Sequence, residues 1–312
     1  MIRFHDRRWP QSILSIIVIA VAACYFPKLI LAADPPAAAA ENASSRPSQA
    51  AVLAKNTELK LDIPYGKDEK QRLDLYLPKG VKNAPVVVFV HGGEWSRHDK
   101  AEVSYKPKYL NEHGIIFASI NYRLSPLAKH PDQADDVASA VSWVHDHVAE
   151  YGGDPRKIFL LGHSAGCHLV TLVALDPRYL AKVKLRPFDL HGVVAWSGGA
   201  YDLVQKVKDG GMYADYIKKN FGDSEDAWRD ASPVAHVKDL RDGPPFLFIS
   251  IKEGDASHKA SERLAALIRE AKGTAESKLI EGRDHFNANH LLGAPEDSTG
   301  QILLDFVHGA VN

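Results

Sequence analysis

The chain has 312 residues, 45% hydrophobic and 25% charged, an ordinary globular composition with apolar material for one large domain or two small ones. A formal charge of −1, from 38 basic and 39 acidic residues, gives no sign of nucleic-acid or anionic-membrane binding. The chain has only Cys24 and Cys167 as cysteines, and no internal repeat or His-Glu-x-x-His spacing, so neither a metal nor a cofactor is expected.

Residues 1–33 read as an export signal. Arg3, Arg7 and Arg8 precede an apolar run from Ile13 to Cys24, the length of a signal core and too short to span a bilayer comfortably. Cleavage fits after Ala22 or near Ala32 and Ala33. Val21-Ala22-Ala23-Cys24 also resembles a lipoprotein box with Cys24 as the lipidated residue, and an uncleaved membrane anchor is the third alternative. The protein is therefore expected in the periplasm or outside the cell. A cleaved chain would keep Cys167 alone and form no internal disulfide. Residues 34–56, rich in Ala, Pro and Ser, read as a flexible linker, and the folded domain is expected over 57–312.

Glu58 to Ile63 and Arg72 to Leu77 alternate apolar and polar residues, which predicts an antiparallel pair, half exposed at a sheet edge. Val86 to Val90 is an unbroken apolar run, as in a strand buried on both faces. A loop, His91-Gly92-Gly93-Glu94-Trp95, then leads to a helix over about Tyr105 to His113 and a buried strand at Ile115 to Ile120. Asp132 to Tyr151 carries Ala134, Val137, Ala138, Val141, Val144 and Val148 at helical spacing, and Gly152-Gly153 ends it. Strands follow at Lys157 to Leu161, Gly192 to Ser197, Phe246 to Ile251 and Glu276 to Ile280. Helices are expected from Ala165, over Lys259 to Ala271 and over Thr299 to Val311. A polar insertion at about Asp202 to Ala231 would form a small helical lid. The alternation predicts an α/β fold, with about eight mostly parallel strands flanked by helices.

The most informative stretch is Gly162-His163-Ser164-Ala165-Gly166. A Gly-x-Ser-x-Gly pentapeptide between a buried strand and a helix has the form of a nucleophile elbow. Its glycines suit a turn so sharp that side chains at those positions would strike the neighbouring strand and helix.

Four motifs together carry a family resemblance: His91-Gly92-Gly93-x-Trp95, Asn121-Tyr122-Arg123, Tyr151-Gly152-Gly153-Asp154-Pro155, and the elbow followed by Cys167-His168-Leu169. Over residues 57–311 the chain resembles the α/β-hydrolase fold, in the esterase branch with a His-Gly-Gly oxyanion loop. That branch includes hormone-sensitive-lipase-like enzymes, feruloyl and acetyl esterases, and arylformamidases. The resemblance implies Ser164 as nucleophile, Asp255 in Glu253-Gly254-Asp255 as the acid and His285 in Arg283-Asp284-His285 as the base. It also implies oxyanion donors at Ala165 and Gly93, with Glu94 or Gly92 beside them. Trp95 and His163 are candidate substrate contacts, with loop packing and a structural role as the alternatives. Glu94 stands where many relatives carry glycine, alanine or an aromatic residue, and its carboxylate would disfavour anionic substrates or contact a sugar hydroxyl.

The remaining candidates read as structural. Glu253 and Asp284 flank the expected acid and base as loop groups, and His290 reads as surface or lid-facing. His168 would lie on the elbow helix. Asn121-Tyr122-Arg123 would support the oxyanion loop, and Asp132, Asp135 and Asp136 would favour a helix start. Aromatic residues of the insertion (Tyr201, Met212 beside Tyr213, Tyr216, Phe221) would recognise substrate or hold the lid to the body. The expected activity is that of an exported serine esterase acting on short acyl or aryl esters, as small molecules or linked to polysaccharide. An arylformamidase-type amide hydrolase and a non-catalytic binding protein on the same fold are the alternatives.

Overall fold

The computed structural model describes residues 53–251 and 255–311, with the side chains of Asp255 and Val311 excluded. The expected export signal and nearly all of the linker lie outside the described residues, as does Glu253. Eight strands form one sheet: β1 (Thr57–Pro64), β2 (Arg72–Pro78), β3 (Ala84–Val90), β4 (Ile116–Ile120), β5 (Gly153–His163), β6 (Gly192–Trp196), β7 (Phe246–Ile251) and β8 (Ala275–Ile280). Their order is β1-β2-β4-β3-β5-β6-β7-β8, and only β2 runs against the others.

The helices follow from the apolar periods between these strands. They are α1 (Lys106–Glu112), α2 (Asp132–His147), α3 (Ala165–Leu175), α4 (Pro177–Lys182), α5 (Leu203–Asp209), α6 (Met212–Phe221), α7 (Glu225–Asp230), α8 (Asp255–Glu270), α9 (His285–His290) and α10 (Gly300–Val311). A strand's side chains alternate between faces, so β3 contributes Val86, Val88 and Val90 to one apolar cluster and Val87 and Phe89 to another. The first cluster packs under α2, α3, α4 and α8, and the second under α1, α9 and α10. In α2 the buried residues Ala134, Val137, Val141 and Val144 recur at helical spacing, as the sequence implies. Full burial of each such valine contributes roughly 1.5–3 kcal/mol. Among the described residues no helix is long and apolar enough to cross a membrane.

Three expectations are corrected. Of the predicted pair only β1 is half exposed at the sheet edge; β2 lies inside the sheet, between β1 and β4, and is buried. Its polar positions are compensated: Tyr76 packs on Phe117, and Asp74 accepts from Lys100 Nζ at 2.7 Å and from the Asp62 amide at 2.8 Å. Asp136 is also buried, where it binds Arg123 and Gln71 Nε2 (2.7 Å), a tie between loop and body beyond its place near a helix start. The helix expected from Lys259 begins at Asp255, directly after the strand that should present the acid. The insertion does fold as helices, α5 to α7.

Asp74→Ala is expected to lower unfolding stability by about 2–3 kcal/mol in chemical denaturation. It leaves a buried ammonium with Asp62 as its remaining partner, at 2.8 Å.

Candidate active site

The site lies where β3, β5, β6 and β7 end, the edge at which parallel sheets bind ligands. Ser164 sits between β5 and α3 at φ 54°, ψ −116°, a strained conformation for a residue with a side chain. Packing imposes it. A β-carbon at Gly162 would overlap the Gly166 carbonyl, and one at Gly166 would overlap the Val90 carbonyl of β3. Strand, turn and helix therefore fit together only with glycine at both places. Ser164 Oγ lies 3.0 Å from Nε2 of His285, the geometry of a nucleophile and its base.

His285 is exposed to the site and opens α9, whereas a loop was expected. Asp284 caps that helix, accepting from the Asn287 amide at 2.6 Å, so its place beside the base serves the backbone. Buried donors hold the rest of α9: Trp196 Nε1 donates to the Ala288 carbonyl at 2.8 Å and Lys106 Nζ to the Asn289 carbonyl at 2.7 Å. Burial pushes the Lys106 ammonium down to about 7. His290 contacts Ser104 Oγ at 2.9 Å, which ties it to the loop before α1; the lid-facing reading was wrong. His163 Nε2 lies 3.2 Å from the His285 carbonyl, and burial holds its imidazole well below the usual histidine range. It is thus a neutral support for the backbone of the base, and it also lines a small cavity beside Ser164.

Ser197 is a residue that the sequence reading missed. His163 pairs with Trp196 across β5 and β6, so Ser164 and Ser197 leave neighbouring strands side by side, each with positive φ. Ser197 Oγ reaches 2.9 Å from His285 Nδ1, the ring nitrogen opposite the one facing Ser164. Its only signal in the sequence was Ser197-Gly198-Gly199 closing a buried strand next to the elbow. Asp255 begins α8 just past β7, and its side chain lies outside the described residues.

The loop after β3 carries three consecutive positive φ values, at Gly93 (99°), Glu94 (45°) and Trp95 (58°). Such strain persists only where neighbours over-determine it. Tyr122 Oη donates to the carbonyls of His91 and Gly92, both at 3.2 Å, as expected of Asn121-Tyr122-Arg123. Gln133 Nε2 donates to the Trp95 carbonyl at 2.8 Å, and Asn220 Nδ2, from α6, to that of Glu94 at 3.2 Å. Trp95 is buried and lines the larger cavity; its Nε1 donates to His168 Nδ1 at 3.2 Å, and His168 Nε2 donates in turn to the Ala231 carbonyl at 2.7 Å. Among the described residues neither the Gly93 nor the Glu94 amide donates to a protein acceptor, and Ala165 supplies the first amide of α3. Gly92 packs on Ser164, where an added β-carbon would come within 2.9 Å of the serine β-carbon.

Two cavities meet at Ser164. One of about 430 Å³ is lined by Trp95, Ala165, Ala200, Tyr213 and Ile251 among others; one of about 100 Å³ lies under Gly92, Gly93, Asn289 and His290. Glu94 borders both, with its carboxylate bound by Arg97 at 2.5 and 2.8 Å. Tyr201 and Phe221 are buried, where they pack on Phe248 and Trp95, so of the lid aromatics Tyr213 is the one that reaches the larger cavity. Among the described residues no group of three His, Cys, Asp or Glu side chains is placed to hold a metal ion.

The model of the BD-FAE family matches residues 73–266. A probable isoprenylcysteine α-carbonyl methylesterase of Arabidopsis thaliana is 33% identical over 238 residues, covering 72% of this chain and 50% of that protein. Esterase LipC of Mycobacterium tuberculosis is 31% identical, covering 69% and 57%. The chain thus spans about half the length of the curated relatives it matches. Among solved structures, an inhibited esterase B from Lactobacillus rhamnosis superposes with a TM-score of 0.72 at 22% identity, covering 88% of this chain and 94% of that one. This likeness shows the α/β-hydrolase fold.

Two predictions follow from the site geometry. Burial lowers His91 to about 4 and His168 to about 3, from about 6.5 in the unfolded chain. Between those values the unfolded state binds the extra protons. Stability should therefore fall as pH drops from about 6.5 towards 4, each histidine contributing about 1.4 kcal/mol per pH unit, and a series of denaturant melts would measure the slope. Ser197→Ala removes a partner of His285 Nδ1, and steady-state kinetics should show kcat falling about tenfold with little change in KM.

Proposed function

The chain belongs to the BD-FAE family, and we propose that it is a serine ester hydrolase that releases short acyl groups through an acyl-enzyme on Ser164. The observation that carries this reading is the 3.0 Å contact between Ser164 Oγ, on its strained elbow, and His285 Nε2. His285 takes the hydroxyl proton as Ser164 attacks the ester carbonyl, then returns it to the departing alcohol. Water attacks the acyl-enzyme by the same route. The Ala165 and Gly93 amides, with that of Glu94 or Gly92, receive the oxyanion, and each such donor stabilises the transition state by roughly 2.7–4 kcal/mol. Asp255, at the start of α8, is the acid that orients the imidazole in this reading, and Ser197 supports the same ring from β6.

The substrate class is proposed from the cavity and from relatives. About 430 Å³ with largely apolar walls suits a short acyl or aryl group. Similar proteins include a methylesterase and a carbohydrate esterase from gut microbiota, which supports small alkyl esters or esters on carbohydrate. Export is part of the proposal and rests on the arginine-led apolar run of residues 1–33.

A serine-directed phosphonate should label the wild type and not Ser164→Ala, whereas an unlabelled wild type would overturn the assignment. His285→Ala should lower kcat about 10²–10⁴-fold. With nitrophenyl esters of graded length, rates should be highest for acetyl to butyryl and fall steeply for long chains. Faster turnover of N-formylkynurenine than of any ester would favour the formamide reading instead.

A further inference from the structure

We propose that Lys206 makes this site selective for esters that carry a second, anionic group, a carboxylate at the far end of the portion lodged in the larger cavity. The inference rests on the ester-hydrolase reading above and adds the chemistry that the cavity selects. Lys206, on α5, lines the same cavity as Ser164 and His285, and also an adjoining cavity of about 250 Å³ that shares Gly199 and Ala256 with it. It therefore stands where the two spaces join, and its side chain is partly buried.

Charge compensation distinguishes Lys206 from its neighbours. The other charged side chain among the described residues of the larger cavity, Glu94, is held by two bonds from Arg97 and contributes little net field. This pairing weakens the repulsion of anions, one of the two effects expected of Glu94 from the sequence. In the adjoining cavity Asp202 accepts from the Gln205 amide at 3.0 Å and pairs with Arg263 at 3.3 Å, and Asp209 accepts from Gln205 Nε2 at 2.8 Å. Lys208, one position past Val207 on α5, pairs with Glu225 at 3.6 Å. The side chain of Lys206 alone of these makes no ion pair or hydrogen bond among the described residues.

A partly desolvated ammonium beside apolar walls interacts more strongly with an incoming anion than it would in water. One unpaired point charge matches a single carboxylate; a phosphate dianion would call for a second uncommitted cation, and Arg263 is already paired. The alternative is that Lys206 merely extends its ammonium into solvent, with its methylenes covering the cavity wall.

The carboxylate could arrive on the acyl or on the alcohol side, and paired substrates separate the two. Monoethyl dicarboxylates from succinate to suberate are compared with ethyl alkanoates of equal length, and ω-acetoxycarboxylates with the matching alkyl acetates, all by pH-stat. In wild type at low salt, at least one anionic ester should exceed its neutral counterpart about tenfold in kcat/KM, and the advantage should shrink at high ionic strength. Lys206→Met and Lys206→Gln should both bring the anionic-to-neutral ratio down towards one, and Lys206→Arg should retain the advantage. Equal anionic-to-neutral ratios in wild type and in both neutral variants would overturn the inference and leave the esterase reading intact. Failure of the wild type to hydrolyse even the neutral esters would overturn the esterase reading, and this inference with it.

Discussion

Everything at this site depends on how closely three backbones approach at the elbow. The Gly166 position leaves no room for a β-carbon against the Val90 carbonyl, and Gly162 leaves none against Gly166. That contact locks the turn between β5 and α3 and holds Ser164 at positive φ, with its hydroxyl above the sheet edge. It also sets the neighbours of the serine. On one side β3 runs into the loop that packs Gly92 on Ser164; on the other β6 delivers Ser197 to the imidazole. The base arrives from much further along the chain, after β8, and the turn between strand and helix is where it meets the nucleophile.

Strain in the loop after β3 is balanced by buried polar contacts. Three successive residues at positive φ would relax if loosely held. Gln133 and Asn220 fasten the carbonyls of Trp95 and Glu94, the Trp95–His168–Ala231 chain of hydrogen bonds fastens the indole, and Tyr122 holds the carbonyls of His91 and Gly92 just before them. His168, and His91 through Nδ1 at 2.8 Å from the Gly92 carbonyl, do this work as neutral rings, because burial disfavours their charged forms. The helical insertion is part of the same arrangement: Asn220 of α6 donates to the Glu94 carbonyl and Phe221 packs on Trp95, so the insertion also braces the loop after β3.

Much of this was legible in the residue pattern, and the failures share one cause. The unbroken apolar run at Val86 to Val90, the glycines around Ser164 and the placement of His285 after the last strand are local features, readable from spacing. Asp74 misled because alternation treats a polar residue as a solvent-facing one, whereas a lysine 26 positions away neutralises it inside the sheet. His290 and Ser197 were missed for the same reason. Their roles come from contacts with residues 186 and 88 positions distant, and neither carries a motif of its own.

By itself the sequence determined the sheet-and-helix alternation and the glycine-flanked elbow at Ser164, because hydrophobic period and glycine placement act over a few residues. Tertiary structure decided which charges are compensated and which histidines are scaffold. Glu94 and Lys206 look alike as charged residues near the site. Only the folded chain brings two guanidinium bonds to the first and leaves the second, a residue lining the cavity, without an ion pair among the described residues, because compensation depends on which side chains the fold brings within a few ångströms.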